Sequence, residues 1–208
     1  YPITMIFMAI AVGSNIGCSV IISQYFGAKW YEKMKTAIYT TLIASVALSL
    51  LLTAAGLLGS RAMMAAINTP ENIFADGALY LRIYIGGFVF LFLYNVATGI
   101  FNSMGDSRTP LYFLIGSSLG NIVLDLIFVA VFHWDVAGVA WATFIAQGIA
   151  CVLALNALRK RLASIETEGK VELFSWNMLG RISRIAVPSI LQQSFISVGN
   201  IFIQGLIN

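Results

Sequence analysis

Asn121 and Asp125 stand one helical turn apart in the apolar run LYFLIGSSLGNIVLDLIFVAVF, where Asp125 carries the single charge. A carboxylate at the centre of a membrane helix costs about 2.5–3.5 kcal/mol unless it is paired, protonated or hydrated. In a helix the two side chains share one face, about 6 Å apart along the axis. Because carboxylate and amide oxygens are hard ligands, the pair could bind one cation or share one proton.

The composition predicts that this pair lies in a membrane protein. The 208 residues are 59% hydrophobic and 10% charged, whereas a soluble domain has about 25% charged residues. A bilayer core about 30 Å thick requires about 20 apolar residues per helical span. We therefore predict an all-α, polytopic membrane helical bundle, with no nucleic-acid partner. The sequence has no P-loop, GxSxG or HExxH motif, so we expect neither a soluble enzyme nor a cofactor.

Six apolar segments are predicted to span the membrane. They cover residues 1–26, 37–59, 79–104, 109–132, 138–158 and 186–208. The connection 159–185 is the longest, and its sequence LFSWNMLGRISRIAVP has the apolar and basic pattern of an interfacial amphipathic helix. We expect this cytoplasmic connection to join two parts, residues 1–158 and residues 186–208. The apolar ends of the sequence suggest a fragment of a longer protein.

The basic residues predict the orientation of the bundle. Ten of the twelve Lys and Arg residues lie in the first, third and fifth connections. The other two, Arg61 and Arg82, lie in or beside the second and fourth. Since positive residues accumulate in cytoplasmic loops, the first segment is expected to run inward.

With this orientation, several oxygen-bearing side chains reach a similar depth in the outer half of the membrane. Asp125 lies roughly 10 Å below the outer end of its helix, and Thr143 and Tyr84 lie about five residues below theirs. Tyr80 is one turn from Tyr84. We predict a cation-binding cluster of Asn121, Asp125, Thr143, Tyr84 and Tyr80. The first three would be the metal ligands if the cation is Na⁺. The alternative is that Asp125 only ties helices together through hydrogen bonds.

Two further patterns concern packing and a turn. Small residues at every fourth position predict close helix contacts for Gly13 with Gly17, Gly116 with Gly120, and the stripe from Gly138 to Ala154. In GDSRTP, a tight turn at Gly105 and Asp106 would be followed by a helix that Pro110 opens. A second interpretation is a cytoplasmic gate or hinge pinned by Asp106 and Arg108.

Four motifs resemble those of the multidrug and toxic compound extrusion (MATE) transporters, in the same order and over the whole chain. They are SQYFGAKWYEKMKTA, FNSMGDSRTP, GNIVLDLIF and VAGVAWAT. The resemblance implies helices two to seven of a twelve-helix, two-lobe transporter that alternates between inward-open and outward-open states. Residues 1–158 would form most of the first lobe, and residues 186–208 would begin the second.

The resemblance also implies a function. In one branch of the family, the first lobe binds Na⁺ or a proton with an acid on the first helix, an Asn and an Asp four residues apart on the fifth, and a Thr on the sixth. Asn121, Asp125 and Thr143 match the last three. The expected protein is a secondary active transporter in the bacterial cytoplasmic membrane. It would act as a monomer and export organic cations or drugs by antiport with Na⁺ or H⁺.

Other functions fit the sequence less well. A flippase of lipid-linked precursors would share the fold, but it typically has a cationic cavity, and no Lys or Arg stands in the middle of a predicted span. A membrane enzyme would need several catalytic groups, whereas one embedded carboxylate is too few. A structural scaffold would not explain why Asn121, Asp125 and Thr143 fall at one depth.

Overall fold

The protein is a bundle of long helices. The computed structural model describes the backbone of residues 2–66 and 71–207, and the side chains of residues 4–60, 74, 77–134 and 136–200. Over these ranges the regular structure is entirely helical, which confirms the predicted all-α class. The helices are α1 (Pro2–Gly27), α2 (Tyr31–Ala66), α3 (Glu71–Ser103), α4 (Arg108–Leu126), α5 (Asp135–Ala163) and α6 (Trp176–Ile207). A π-helical turn, Ile127–Val131, continues α4.

Five of the predicted membrane spans are confirmed by helix length and composition. The segments that are long and apolar enough are Thr4–Gly27, Tyr31–Ser60, Gly77–Ser103, Arg108–Val131 and Val136–Ala163. Several helices begin earlier than predicted, because hydropathy marks the apolar part of a helix and not its polar extension. Tyr1 and Asn208, which were assigned to the first and sixth spans, lie outside the described residues.

The start of α6 differs most from the sequence-based prediction. The sequence LFSWNMLGRISRIAVP was expected to form an interfacial amphipathic helix within the connection 159–185, whereas α6 is continuous from Trp176 through Pro188. Met178, Ile182 and Ala186 are all buried, and their four-residue spacing carries one packed face across the predicted boundary. Tertiary packing thus extends α6 back into the predicted connection, and a boundary between two parts at residues 159–185 stays a prediction. The non-helical part of the connection is residues 164–175.

The core forms around α3, which packs against α1, α2 and α5. Phe88 and Phe92 are fully buried on α3 and meet edge to face with ring centroids 5.6 Å apart. Phe7 of α1 adds a second edge-to-face contact with Phe88, at 4.8 Å. Such aromatic pairs contribute about 0.5–1.5 kcal/mol beyond the area they bury. α3 is therefore the central helix against which α1, α2 and α5 pack.

Small residues allow α1 and α6 to cross closely. A Cβ atom added at Gly13 would overlap the backbone of Ile190, and one added at Gly17 would overlap the backbone of Ala186. The packing prediction for these two glycines is confirmed. On α5, the alanines from Ala142 to Ala154 at four-residue spacing are also almost fully buried, as predicted.

The same prediction is wrong for Gly116 and Gly120 on α4. No atom of the described residues lies within 4 Å of a Cβ built at either position. α4 packs mainly on α5 and only slightly on α3, so much of its surface is uncovered. Small-residue spacing therefore identified one face of α4, but not whether another helix contacts that face.

The α1–α6 crossing provides the first prediction. We expect Gly17→Ala to lower the free energy of unfolding by about 1–3 kcal/mol, because the new methyl group must displace backbone atoms of Ala186. The measurement is the thermal unfolding midpoint of the full-length protein in detergent.

Gly116→Ala is the matched control. Its added methyl group meets open space, and alanine is the better helix former by about 1 kcal/mol. We expect this variant to be neutral or slightly stabilised. Equal midpoints for the two variants would contradict the close crossing.

Candidate functional site

The polar residues of α4 lie on its partly buried face. Asn121 and Asp125 are partly buried, whereas their neighbours Ile122, Val123 and Leu126 are exposed. Because α4 packs mainly on α5, the partly buried face is the one directed into the bundle. The four-residue spacing of Asn121 and Asp125 thus places both polar groups on the protein side of the helix.

Both side chains contain buried atoms without hydrogen-bond partners. These atoms are Nδ2 of Asn121 and Oδ1 of Asp125. Within the described part of the chain, Asp125 forms no hydrogen bond or ion pair to another helix. A buried polar group left unsatisfied costs about 1–3 kcal/mol, and a charged group costs more. A half-turn of the Asn121 amide exchanges its nitrogen and oxygen, so either atom can meet a ligand at this place.

Thr143 of α5 lies beside the same site. It lines an open pocket of about 440 Å³ together with Asn121, Ser117 and Gln147. Ser117 precedes Asn121 by four residues, and Gln147 follows Thr143 by four. Two polar stripes, one on α4 and one on α5, therefore face each other across this pocket. Asp125 continues the α4 stripe by one more turn, although it does not itself line the pocket.

The two predicted tyrosines lie in a neighbouring pocket. Tyr80 and Tyr84 of α3 line a narrow pocket together with Thr143 and Gln147. Their rings are stacked, with centroids 6.4 Å apart and an interplanar angle of 17°. Thr143 and Gln147 belong to both pockets and form the wall that they share. The structure thus groups Asn121 with Thr143, and Thr143 with the tyrosines.

Sequence reasoning missed part of this arrangement. Neither Gln147 nor Ser117 was among the predicted site residues. Their four-residue spacing from Thr143 and Asn121 was a signal that could have found both. Tyr94, which also lines the larger pocket, carries no such signal.

The C-terminal end of α4 closes with an irregular turn. The amide of Phe132 donates to the carbonyl of Ile127 at 3.1 Å, which is the five-residue spacing of a π-helix. Phe128 and Phe132 each contact the ring of Trp134, with centroids 5.3 and 5.8 Å apart. Asp125 lies immediately before this turn, so an aromatic cluster separates the site from the end of the helix.

The connection before α4 forms a tight turn. Gly105 has a φ of 77°, in the left-handed region that favours glycine. Asp106 accepts hydrogen bonds from the amide and the hydroxyl of Thr109, at 3.0 and 2.7 Å. Arg108 is the first residue of α4, and Pro110 is buried in its first turn. The turn therefore accounts for these residues locally, and a gate pinned by Asp106 and Arg108 stays a prediction.

The sequence is similar to known transporters. The MatE family profile matches residues 1–127. A probable multidrug resistance protein of Bacillus subtilis, YoeA, is 28% identical over 215 residues, covering 100% of this chain and 46% of the relative. Another from the same organism, YpnP, is 28% identical and covers 99% and 46%. The chain spans about half the length of these curated relatives.

Solved structures give the same result. An outward-facing multidrug resistance MATE transporter superposes with a TM-score of 0.88 at 26% identity, covering 98% of this chain and 46% of that one. An inward-facing MATE transporter gives 0.82 at 25% identity, covering 95% and 45%. A Pyrococcus furiosus transporter, whose reversed pocket polarity is described as suggesting a different function, gives 0.88 at 25%, covering 98% and 45%. These relatives are multi-pass membrane transporters and not enzymes.

The Asp106 turn provides the second prediction. Asp106→Ala removes the acceptor for the Thr109 amide near the start of α4, and the loss of such a cap costs about 0.5–2 kcal/mol. The hydrogen bonds from Thr109 hold the pKa of Asp106 below its ordinary value of 3.8. The stabilisation is therefore fully present above pH 3.8 and is lost as the pH falls through the lower folded-state pKa.

The measurement is thermal unfolding of the full-length protein across this pH range. Asp106→Asn is the matched control, because asparagine also caps well and does not titrate. It should keep most of the stability and lose the pH dependence. An unchanged pH profile in Asp106→Ala would rule out this role of the carboxylate.

Proposed function

The chain belongs to the MatE family, and we propose that the protein containing it exports organic cations or drugs in exchange for Na⁺ or H⁺. The observation that carries this proposal is the buried, unpartnered Oδ1 atom of Asp125, one turn from the unpartnered amide nitrogen of Asn121. A carboxylate in a membrane span without a protein partner requires a proton, a cation or water. A coupling ion that arrives and leaves during each cycle satisfies this requirement.

The proposed site binds the coupling ion as a substrate. For Na⁺, the carboxylate of Asp125 supplies the charge, while the amide oxygen of Asn121 and the hydroxyl of Thr143 supply neutral oxygen ligands. A proton would instead bind the carboxylate directly. Either ion neutralises the carboxylate of Asp125. If one conformation binds the ion more tightly than the other, ion binding shifts the equilibrium toward that conformation.

The inward concentration gradient of the coupling ion would supply energy for export, and the membrane potential would add to it in cycles that carry net positive charge inward. A positive charge that moves inward gains about 2.3 kcal/mol per 100 mV. The coupling ion would enter from outside, bind near Asp125 and favour the state that releases the drug outward. Release of the ion into the cytoplasm would then let the transporter take up the next drug molecule from inside.

The chemistry of the pockets supports an organic cation as the exported substrate. Tyr80 and Tyr84 place aromatic rings beside Thr143, and aromatic rings attract organic cations. A third pocket, of about 720 Å³ between α1 and α6, is lined by Met5, Met8 and Gln193 among others. Flexible methionine side chains suit binding of varied apolar molecules. Among the residues whose side chains the structure describes, neither these pockets nor the Asn121 pocket is lined by Lys or Arg.

Flipping of lipid-linked precursors remains the alternative function. Similarity of fold does not separate it from drug export, since the fold is shared within the superfamily. A pyrophosphate-bearing substrate would favour Lys or Arg in the cavity, and the described lining of the three pockets contains neither. We therefore propose drug export, by a protein that works as a monomer in the bacterial cytoplasmic membrane and uses no cofactor.

Ion-coupled efflux tests the proposal. The full-length protein is reconstituted into vesicles, and export of a cationic dye is driven separately by an imposed Na⁺ gradient and an imposed pH gradient. The wild-type protein should respond to at least one gradient, and the effective gradient identifies the coupling ion. Asp125→Asn should abolish the coupled transport, because the amide cannot bind a proton or balance the charge of Na⁺.

Glu166→Gln is the matched control, since it makes the same change from acid to amide on the exposed connection. It should transport like the wild type. Coupled efflux that survives in Asp125→Asn would exclude Asp125 as the coupling site. Gradient-independent movement of lipid-linked sugars, with no dye export, would favour the flippase.

A further inference from the structure

The connection before α6 is held firmly against α2. Three backbone N–H groups of residues 164–175 donate to α2 side chains at four-residue spacing: Gly169 to Glu32 (3.3 Å), Glu172 to Thr36 (3.2 Å) and Ser175 to Thr40 (3.1 Å). In addition, the Lys35 ammonium donates to the carbonyl of Ile165 at 2.6 Å. The start of α6 is therefore fixed beside the start of α2.

A charged groove opens at this junction. It holds about 700 Å³ between the end of α1, the start of α2, the connection and the first turns of α6. Its basic side chains are Lys33, Lys170 and Arg181, and its acidic side chains are Glu32 and Glu172. In the part of the chain with described side chains, no ion pair joins these groups. The groove thus has an excess of positive charge that no salt bridge neutralises.

Two buried hydroxyl groups add hydrogen-bond donors to the groove. Tyr25 is 6% exposed, and its oxygen accepts a hydrogen bond from the Arg181 guanidinium at 2.7 Å. Thr36 is 8% exposed, and its oxygen accepts from the amide of Glu172. Each oxygen is used as an acceptor, and neither hydroxyl donates to a described residue. Both hydroxyl hydrogens are therefore available to an acceptor in the groove.

The first turn of α6 completes the set of donors. Asn177 and Met178 line the groove just after Trp176, where α6 begins. The first N–H groups of a helix have no partner within the helix, and a long helix places a partial positive charge at this end. Basic side chains, hydroxyl donors and helix N–H groups thus all line the same groove. A phosphate, which has several acceptor oxygens and a negative charge, matches this space.

The surroundings of the groove identify the source of the phosphate as a lipid. Trp176 and Leu173 beside the groove are 77% and 69% exposed, and Trp30 is 53% exposed. The Lys33 ammonium lies 4.3 Å from the centre of the Trp30 ring. Exposed tryptophans next to basic residues are typical of the membrane interface. A soluble phosphate would not require these apolar side chains around its site.

We propose that this groove binds the phosphate headgroup of an anionic phospholipid from the cytoplasmic leaflet. Lys33 and Lys170 contact the phosphate from opposite sides, and Tyr25, Thr36 and the first turn of α6 donate hydrogen bonds. The bound lipid joins α1 and α2 to α6 at their cytoplasmic ends. Lipid binding at this place does not depend on the proposed export function.

The test is a titration of the full-length protein in neutral detergent, with bound lipid counted by native mass spectrometry. The probes are phosphatidylglycerol, phosphatidylcholine and inorganic phosphate. We expect saturable binding of phosphatidylglycerol only. The double variant Lys33→Gln/Lys170→Gln should weaken that binding by roughly tenfold or more, since each basic residue near an anionic lipid contributes about 1 kcal/mol.

Two further variants separate a specific groove from general surface charge. Arg159→Gln/Lys160→Gln removes the same charge from exposed residues at the end of α5, outside the groove. This control should change the affinity by no more than about twofold, because screening weakens charges beyond a Debye length of about 8 Å. Glu172→Gln removes an acid from the groove and should strengthen binding.

Three results would overturn the proposal. They are equal loss of binding in the two double variants, equal affinity for phosphatidylcholine and phosphatidylglycerol, and inorganic phosphate binding as tightly as the lipid. The Glu172→Gln variant controls for misfolding as a cause of lost binding, because a gain in affinity for the lipid requires a folded groove.

Discussion

The bilayer core cannot solvate a carboxylate, and this constraint explains the arrangement around Asp125. The aliphatic side chains of α4 face outward, while Asn121 and Asp125 face the bundle. α5 then brings Thr143 to the pocket that Asn121 lines. The unpartnered Oδ1 atom shows that the described helices do not satisfy the carboxylate. The absence of a partner for this atom among the described residues is what supports the proposed binding of a coupling ion at this site.

The packing of the bundle fixes the positions of the helices that carry this site. α3 packs into the core through buried aromatic side chains such as Phe88 and Phe92. It also places Tyr80 and Tyr84 beside α5. Small residues then bring α1 and α6 together. α4 is held mainly by α5 and covered little elsewhere, so it is the least constrained of the helices around the site. A cation bound between α4 and α5 would consequently act on a helix, α4, that has little packing apart from its contact with α5.

Much of this organisation could be predicted from the sequence, because membrane helices have strong local signals. Hydropathy found five spans, and the four-residue spacing of Asn121 and Asp125 found their shared face. Spacing does not reveal which neighbour covers a face, so the packing of Gly17 was predicted correctly and that of Gly116 was not. The hydropathy signal marks only the apolar part of a helix, so the polar first turns of α6, from Trp176, were not predicted as part of the span. The π-helical turn after Asp125 depends on tertiary packing and has no sequence signal.

The central claim is that the Asp125 carboxylate takes up and releases the coupling cation. Infrared difference spectra of the purified full-length protein test it most directly, recorded between two pH values and between Na⁺-free and Na⁺-containing buffer. The account predicts a carboxyl band that changes in at least one of these difference spectra and is missing in Asp125→Asn. Wild-type spectra that Asp125→Asn leaves unaltered under both conditions would contradict the account.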